Sequence, residues 1–111
     1  MRIVTDFHLH SKWSRACSTD LTLPNIAKSC ERKGIHFVGT ADAFHPAWQK
    51  DIDELLEDVG EGAFRLKDGS SPTHFLLSTE ISCIYKHGDK VRRVHHIILF
   101  PSRDALHRLT A

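Results

Sequence analysis

Ile3-Val4-Thr5-Asp6-Phe7-His8-Leu9-His10 lies at the start of this chain, and its reading decides the fold. Ile3, Val4 and Phe7 predict a short buried strand over residues 2–8. Side chains alternate across a strand, so His8 and His10 share a face and Asp6 joins them there. Two imidazoles one pleat apart, with a carboxylate beside them, can meet one divalent cation. Imidazole nitrogen suits zinc, iron and related metals, and carboxylate oxygen suits most of them. The same spacing also describes the polar face of an edge strand, so the rest of the chain must decide.

Strand and helix alternate after that opening. Residues 11–20 are polar and irregular, a loop. Thr22 is placed to cap a helix with Pro24 in its first turn, Leu23, Ile26, Ala27 and Cys30 as its apolar stripe, and Gly34 as its stop after Lys33. Residues 36–40 predict a second strand and 41–45 a loop. Pro46 opens a second helix, on which Trp48, Ile52, Leu55, Leu56 and Val59 fall at helical spacing. Gly60 and Gly62 end it, and the stretch to Pro72 reads as a loop. Residues 75–79 form a third strand ending at Glu80. Residues 81–85 and 91–100 predict two strands joined by His87-Gly88-Asp89, and Ser102 caps a last helix containing Ala105, Leu106 and Leu109. This order argues for α/β architecture with parallel β/α units.

The bulk properties fit one soluble domain. The chain has 111 residues, 41% of them hydrophobic and 26% charged, which excludes a disordered composition. A net charge of +1 imposes no global field, so an anionic partner needs a local basic patch. Cys17, Cys30 and Cys83 are odd in number and widely spaced, which fits a reducing cytoplasm better than a disulfide framework. Cys17 and Cys83 read as small apolar fillers, and Trp13 and Trp48 as packing residues. No run is long enough to span a membrane, and no signal peptide is evident. Nine histidines are more than packing requires in so short a chain. His36, His74, His87 and His107 read as surface residues.

The candidate polar residues gather at strand ends. His8 and His10 end the first strand, Asp42 and His45 follow the second, and Glu80 ends the third. In β/α barrels and open α/β sheets, sites form outside those carboxyl ends. Glu80 follows an apolar strand, and a carboxylate near the core is costly without a cation. His95 and His96 lie inside a long strand and point to opposite faces, so at most one serves the same site. Both faces are apolar, and periodicity does not choose. Lys86, Lys90, Arg92 and Arg93 form a basic cluster opposed only by Asp89, either a phosphate-binding patch or a solvated hairpin edge.

These segments carry a resemblance. Asp6-Phe7-His8-Leu9-His10-Ser11, Gly39-Thr40-Ala41-Asp42, Thr79-Glu80 and Val94-His95-His96-Ile97-Ile98-Leu99 resemble the successive motifs of the PHP (polymerase and histidinol phosphatase) superfamily. Ser14-Arg15-Ala16, Asp20-Leu21-Thr22-Leu23, Phe44-His45-Pro46, Thr79-Glu80-Ile81-Ser82-Cys83-Ile84-Tyr85 and Lys90-Val91-Arg92-Arg93-Val94-His95-His96 are similar to the PHP domain of the endonuclease Q family. The likeness covers essentially all of residues 1–111.

The resemblance implies the N-terminal portion of a distorted, TIM-like β/α barrel of about seven strands, with two or three divalent ions (zinc, magnesium or manganese) on its carboxyl face. It implies that His8 and His10 hold one ion, that Glu80 bridges two, and that His96 binds the second. Asp42 matches the aspartate of the family's Thr-Asp-His motif. Ala43 stands where that histidine usually is, and His45, two residues on, is the candidate replacement. Cys17 and Asp20 lie near a further ligand position of the family.

The implied activity is metal-dependent phosphodiester hydrolysis, with Glu80 and Asp42 as catalytic residues. The implied partner is DNA carrying a deaminated base or an abasic site, held in part by Lys90, Arg92 and Arg93. A small-molecule PHP phosphatase would share the metal ligands without needing the basic hairpin. A metal-binding fragment without turnover is the third reading. The family's later histidine and C-terminal Asp-x-His have no counterpart after Leu109, so the chain reads as about half a barrel, truncated, with exposed edges that invite oligomerisation.

Overall fold

A computed structural model describes residues 2–13 and 17–110, so the Ser14-Arg15-Ala16 motif lies outside the described residues. The elements run β1 (Thr5–Asp6), α1 (Leu23–Lys33), β2 (Phe37–Gly39), α2 (Pro46–Leu55), β3 (Leu56–Gly60), β4 (Ala63–Leu66), β5 (His74–His87), β6 (Lys90–Phe100) and α3 (Arg103–Thr110). The sheet order is β1-β2-β5-β4-β3, with β6 paired to β5. β1, β2 and β5 are parallel, and β3, β4 and β6 join antiparallel. The result is a mixed α/β fold with a six-stranded, mostly open sheet. Two β/α units lead into β5, as the alternation predicts. Among the described residues, no helix is long and apolar enough to cross a membrane.

α1 forms for the reasons its sequence gives. The Thr22 hydroxyl accepts from Asn25 N, Pro24 occupies the first turn, and Gly34 closes the helix in the left-handed region at φ 72°. Leu23, Ile26, Ala27 and Cys30 are its buried stripe. They meet Trp48 and Ile52 of α2, and Val38, Phe64, Phe75, Leu77 and Phe100 of the sheet, in one core. Fully burying a side chain such as Phe64 or Phe75 contributes about 1.5–3 kcal/mol.

Three expectations need correction. The first strand is shorter than residues 2–8 and less buried. Among the described residues it pairs only with β2, Ile3 is exposed, and His8 and His10 lie beyond its hydrogen-bonded part. The second helix stops at Leu55 instead of running to Val59. Leu56 starts β3, which turns at Glu61-Gly62 into β4, within the segment read as a loop. Glu61 (φ 57°) and Gly62 (φ 83°) are both left-handed, the two-residue hairpin geometry that matches strand twist. Leu56 is buried while Leu55 and Val59 are exposed, so the helical spacing of these leucines was coincidental. Cys83 is exposed rather than a core filler, whereas Cys30 is buried.

β5 is the spine of the molecule. Its first residues pair with β2 and β4, and from Leu77 onward it pairs with β6 in unbroken register to His87. The turn is Gly88-Asp89, with Gly88 at φ 63°. A positive φ at the first turn residue alone is the second common hairpin geometry, and glycine adopts it without a Cβ clash.

Candidate metal centre

The loop after β2 is clamped onto β5. Thr40 Oγ1 accepts from Ser78 N, Ser78 Oγ accepts from Ala41 N, and Ser78 O accepts from Ala43 N. Trp48 Nε1 donates to Thr40 O from within the core. Ala41 (φ 56°) and Asp42 (φ 45°) are therefore held in a left-handed conformation that non-glycine residues rarely adopt. Gly39 brings the strands close. A Cβ built there would stand 2.6 Å from Ser78 Oγ and 3.1 Å from Phe7 O. That contact fixes the segment that presents His8 and His10.

The two histidines turn toward Glu80, near the middle of β5. His8 Nε2 lies 3.2 Å and His10 Nε2 3.7 Å from Glu80 Oε2. Their rings sit edge to face with centroids 6.1 Å apart. One nitrogen from each histidine and one carboxylate oxygen all lie within 4.8 Å of one another. Zinc bonds of 2.0–2.1 Å in a tetrahedron separate adjacent ligand atoms by about 3.3 Å. The observed spacings bracket that value, so the donor set and its size fit a divalent cation. Glu80 is only 20% exposed, which favours a carboxylate with cationic company.

Glu80 is also reached from its other side. His95 Nδ1 lies 2.6 Å from Glu80 Oε1, and Ser82 Oγ lies 2.9 Å from the same nitrogen. The β5–β6 register explains why. Glu80 pairs with Ile97 and Ser82 with His95, which puts His95 on the Glu80 face. His96 pairs with Ile81 and faces the opposite side. The structure thus brings His95, and not His96, beside Glu80.

The other candidates have contacts of their own. Asp42 accepts from Ser11 N (3.0 Å) and Ser11 Oγ (2.5 Å), fastening the segment after His10 to the β2 loop. His45 is the N-cap of α2. Its Nδ1 accepts from Ala47 N, and its ring stacks on Trp13 at 4.7 Å. Trp13 is thus packed on a histidine at the surface and not in the core. Asp6 turns to its own backbone, accepting from His8 N, and does not join the two histidines. Cys17 and Asp20 line a cleft of about 650 Å³ between α1 and the segment after β1, and His10 lines the same cleft.

Lys86, Lys90, Arg92 and Arg93 lie on the exposed outer part of the β5–β6 hairpin. The sequence reading missed His36, whose Nδ1 accepts from Val4 N and so satisfies a donor beside β1. No periodic signal marks such a contact, because it links a turn residue to an irregular segment.

A solved structure of endonuclease Q, in complex with a 27-mer duplex substrate carrying an abasic lesion at the active site, superposes on this geometry with TM-score 0.77. It is 32% identical and matches 96% of this chain. This chain is similar to endonuclease Q. A lesion-specific endonuclease of Pyrococcus furiosus, also endonuclease Q, matches 97% of the chain at 27% identity and TM-score 0.78. A curated relative, an uncharacterized protein of Methanocaldococcus jannaschii, is 35% identical over 97 residues, 87% of this chain. The chain spans 10% of that relative and 24% of each endonuclease Q chain. No family model matches it.

Proposed function

We propose that this chain is the metal-binding segment of a PHP-type endonuclease that nicks DNA beside a deaminated base or an abasic site. One observation carries the reading: His8, His10 and Glu80 converge within cation-binding distance in a chain similar to endonuclease Q. A divalent cation held there supplies an activated water and charge stabilisation for in-line displacement at phosphorus.

The chain's own residues supply the rest. His8 and His10 would each offer one ring nitrogen to the cation, and Glu80 Oε2 would complete their side. Glu80 Oε1 serves the His95 side, so the carboxylate joins two flanks of the site. Asp42 is a positioning residue, since its carboxylate is engaged with Ser11. Basic residues on one face of the hairpin neutralise phosphates and set the register of the duplex without reading sequence. Extrusion of an altered base costs least where pairing is already weakened, which suits lesions over intact pairs.

The test is nicking of a labelled duplex with one abasic site, in Mg²⁺, Mn²⁺ or Zn²⁺. Nicking that disappears with Glu80→Ala or with chelator supports the reading. Hydrolysis of a phosphomonoester without nicking supports a small-molecule phosphatase instead. Silence in both, with zinc retained, supports metal binding without turnover.

A further inference from the structure

The outer part of the β5–β6 hairpin, residues 82–93, is a two-stranded ribbon exposed on both faces. Such ribbons are marginal in water by themselves. This one also exposes Ile84 (66%), Val91 (58%) and Tyr85 (51%), residues that a free ribbon has no reason to carry. Its charge is one-sided, with Lys86, Lys90, Arg92 and Arg93 against Asp89 alone. None of the four is ion-paired among the described residues. The combination fits a polyanion that also offers apolar surface, and a duplex groove about 12 Å wide admits a two-stranded ribbon.

The register divides the basic residues between the two faces. Ser82, Ile84 and Lys86 alternate with Glu80 on β5, and their neighbours His95, Arg93 and Val91 share that face. Lys90 and Arg92 pair with His87 and Tyr85 on the other face. Only the first face is continuous with the His8, His10 and Glu80 group. At a rise of about 3.3 Å per residue, Arg93 (opposite Ile84) stands about 13 Å along the ribbon from Glu80, and Lys86 about 20 Å.

We infer that the Glu80 face of this ribbon is a duplex-docking track, in which Arg93 and Lys86 grip successive phosphates of the strand leading to the site while Ile84 and Val91 pack between them. The inference rests on the DNA-cleaving reading above. Arg92 and Lys90 face away from the duplex.

The test is binding of a fluorescein-labelled abasic-site duplex by anisotropy between 50 and 200 mM NaCl, without added metal. A K86A/R93A double variant weakens binding at least about tenfold and flattens the salt dependence of log Kd by about 1.8, two contacts at about 0.9 each. K90A/R92A removes the same charge and changes affinity less than about threefold. Equal losses on both faces, or a larger loss for K90A/R92A, overturn the track and leave the nuclease reading standing. A chain that forms a dimer, with DNA binding indifferent to K86A/R93A, gives the ribbon to a second copy and also overturns it. Wild-type protein that fails to bind DNA at 50 mM NaCl overturns both.

Discussion

His95 Nδ1 and Glu80 Oε1 lie 2.6 Å apart, on the side of the carboxylate opposite His8 and His10. Glu80 is thus held at both oxygens, and a cation beside Oε2 meets a ligand that cannot swing. His95→Ala is expected to weaken zinc binding by about 10–100-fold, the usual cost of losing a residue that orients a ligand. His96→Ala, on the far face, is expected to leave it unchanged. Isothermal titration of the two variants decides the assignment, and a loss confined to His96→Ala reverses it.

Gly39 ties the fold to the site. An added methyl meets Ser78 Oγ at 2.6 Å and the Phe7 backbone at 3.1 and 3.2 Å. Gly39→Ala is expected to destabilise the chain by about 1–3 kcal/mol, as overpacking does. Because Phe7 precedes His8, metal affinity falls with it. Thermal unfolding and zinc titration of the same variant check both parts, and an unchanged Tm refutes the close approach.

Asp42 accepts two hydrogen bonds from Ser11, which is fully buried. Asp42→Ala strands the buried Ser11 N–H and is expected to cost about 1–3 kcal/mol in urea unfolding. Asp42→Asn keeps an acceptor oxygen and tolerates φ 45° better than alanine, so it is expected to cost less. Equal losses would mean that charge, not hydrogen bonding, holds the loop.

Cys30 and Cys83 differ in burial. Burial, reinforced by the nearby Asp6 carboxylate, pushes the Cys30 thiol above its ordinary range. A raised thiol pKa means less thiolate at any given pH, so Cys30 stays protonated and inert near neutrality. Cys83 is exposed. A thiol-specific reagent at pH 7.5 is expected to modify Cys83 in the folded chain and Cys30 only after unfolding. Comparable rates at both would place Cys30 at the surface.

Much of the fold was legible because its signals are local. Thr22, Pro24 and Gly34 bound α1 through side chains that act within a few residues. His8, His10 and Glu80 were legible because strand ends in parallel units collect on one side. The α2–β3 boundary was not. Leu55, Leu56 and Val59 satisfy a helical period, and only the Gly60-Glu61-Gly62 turn discloses the hairpin.

The choice between His95 and His96 turned on one residue of register. A three-residue turn, His87-Gly88-Asp89, would pair Lys86 with Lys90 and set His96 opposite Glu80. The observed turn pairs His87 with Lys90 and sets Ile97 there, which brings His95 to the Glu80 face. A slip of one residue exchanges the two faces of a strand. Both strand faces were apolar enough to accept either register, so composition could not decide. Asp42 and His45 carried a related ambiguity. A carboxylate and an imidazole near a helix start also serve loops and caps, and here they do.

The central claim is tested most directly by anomalous diffraction from crystals grown with zinc or manganese. The account predicts a peak about 2.0–2.2 Å from one nitrogen of His8, one nitrogen of His10 and Glu80 Oε2. A fully loaded crystal with no ion among those three residues would contradict it.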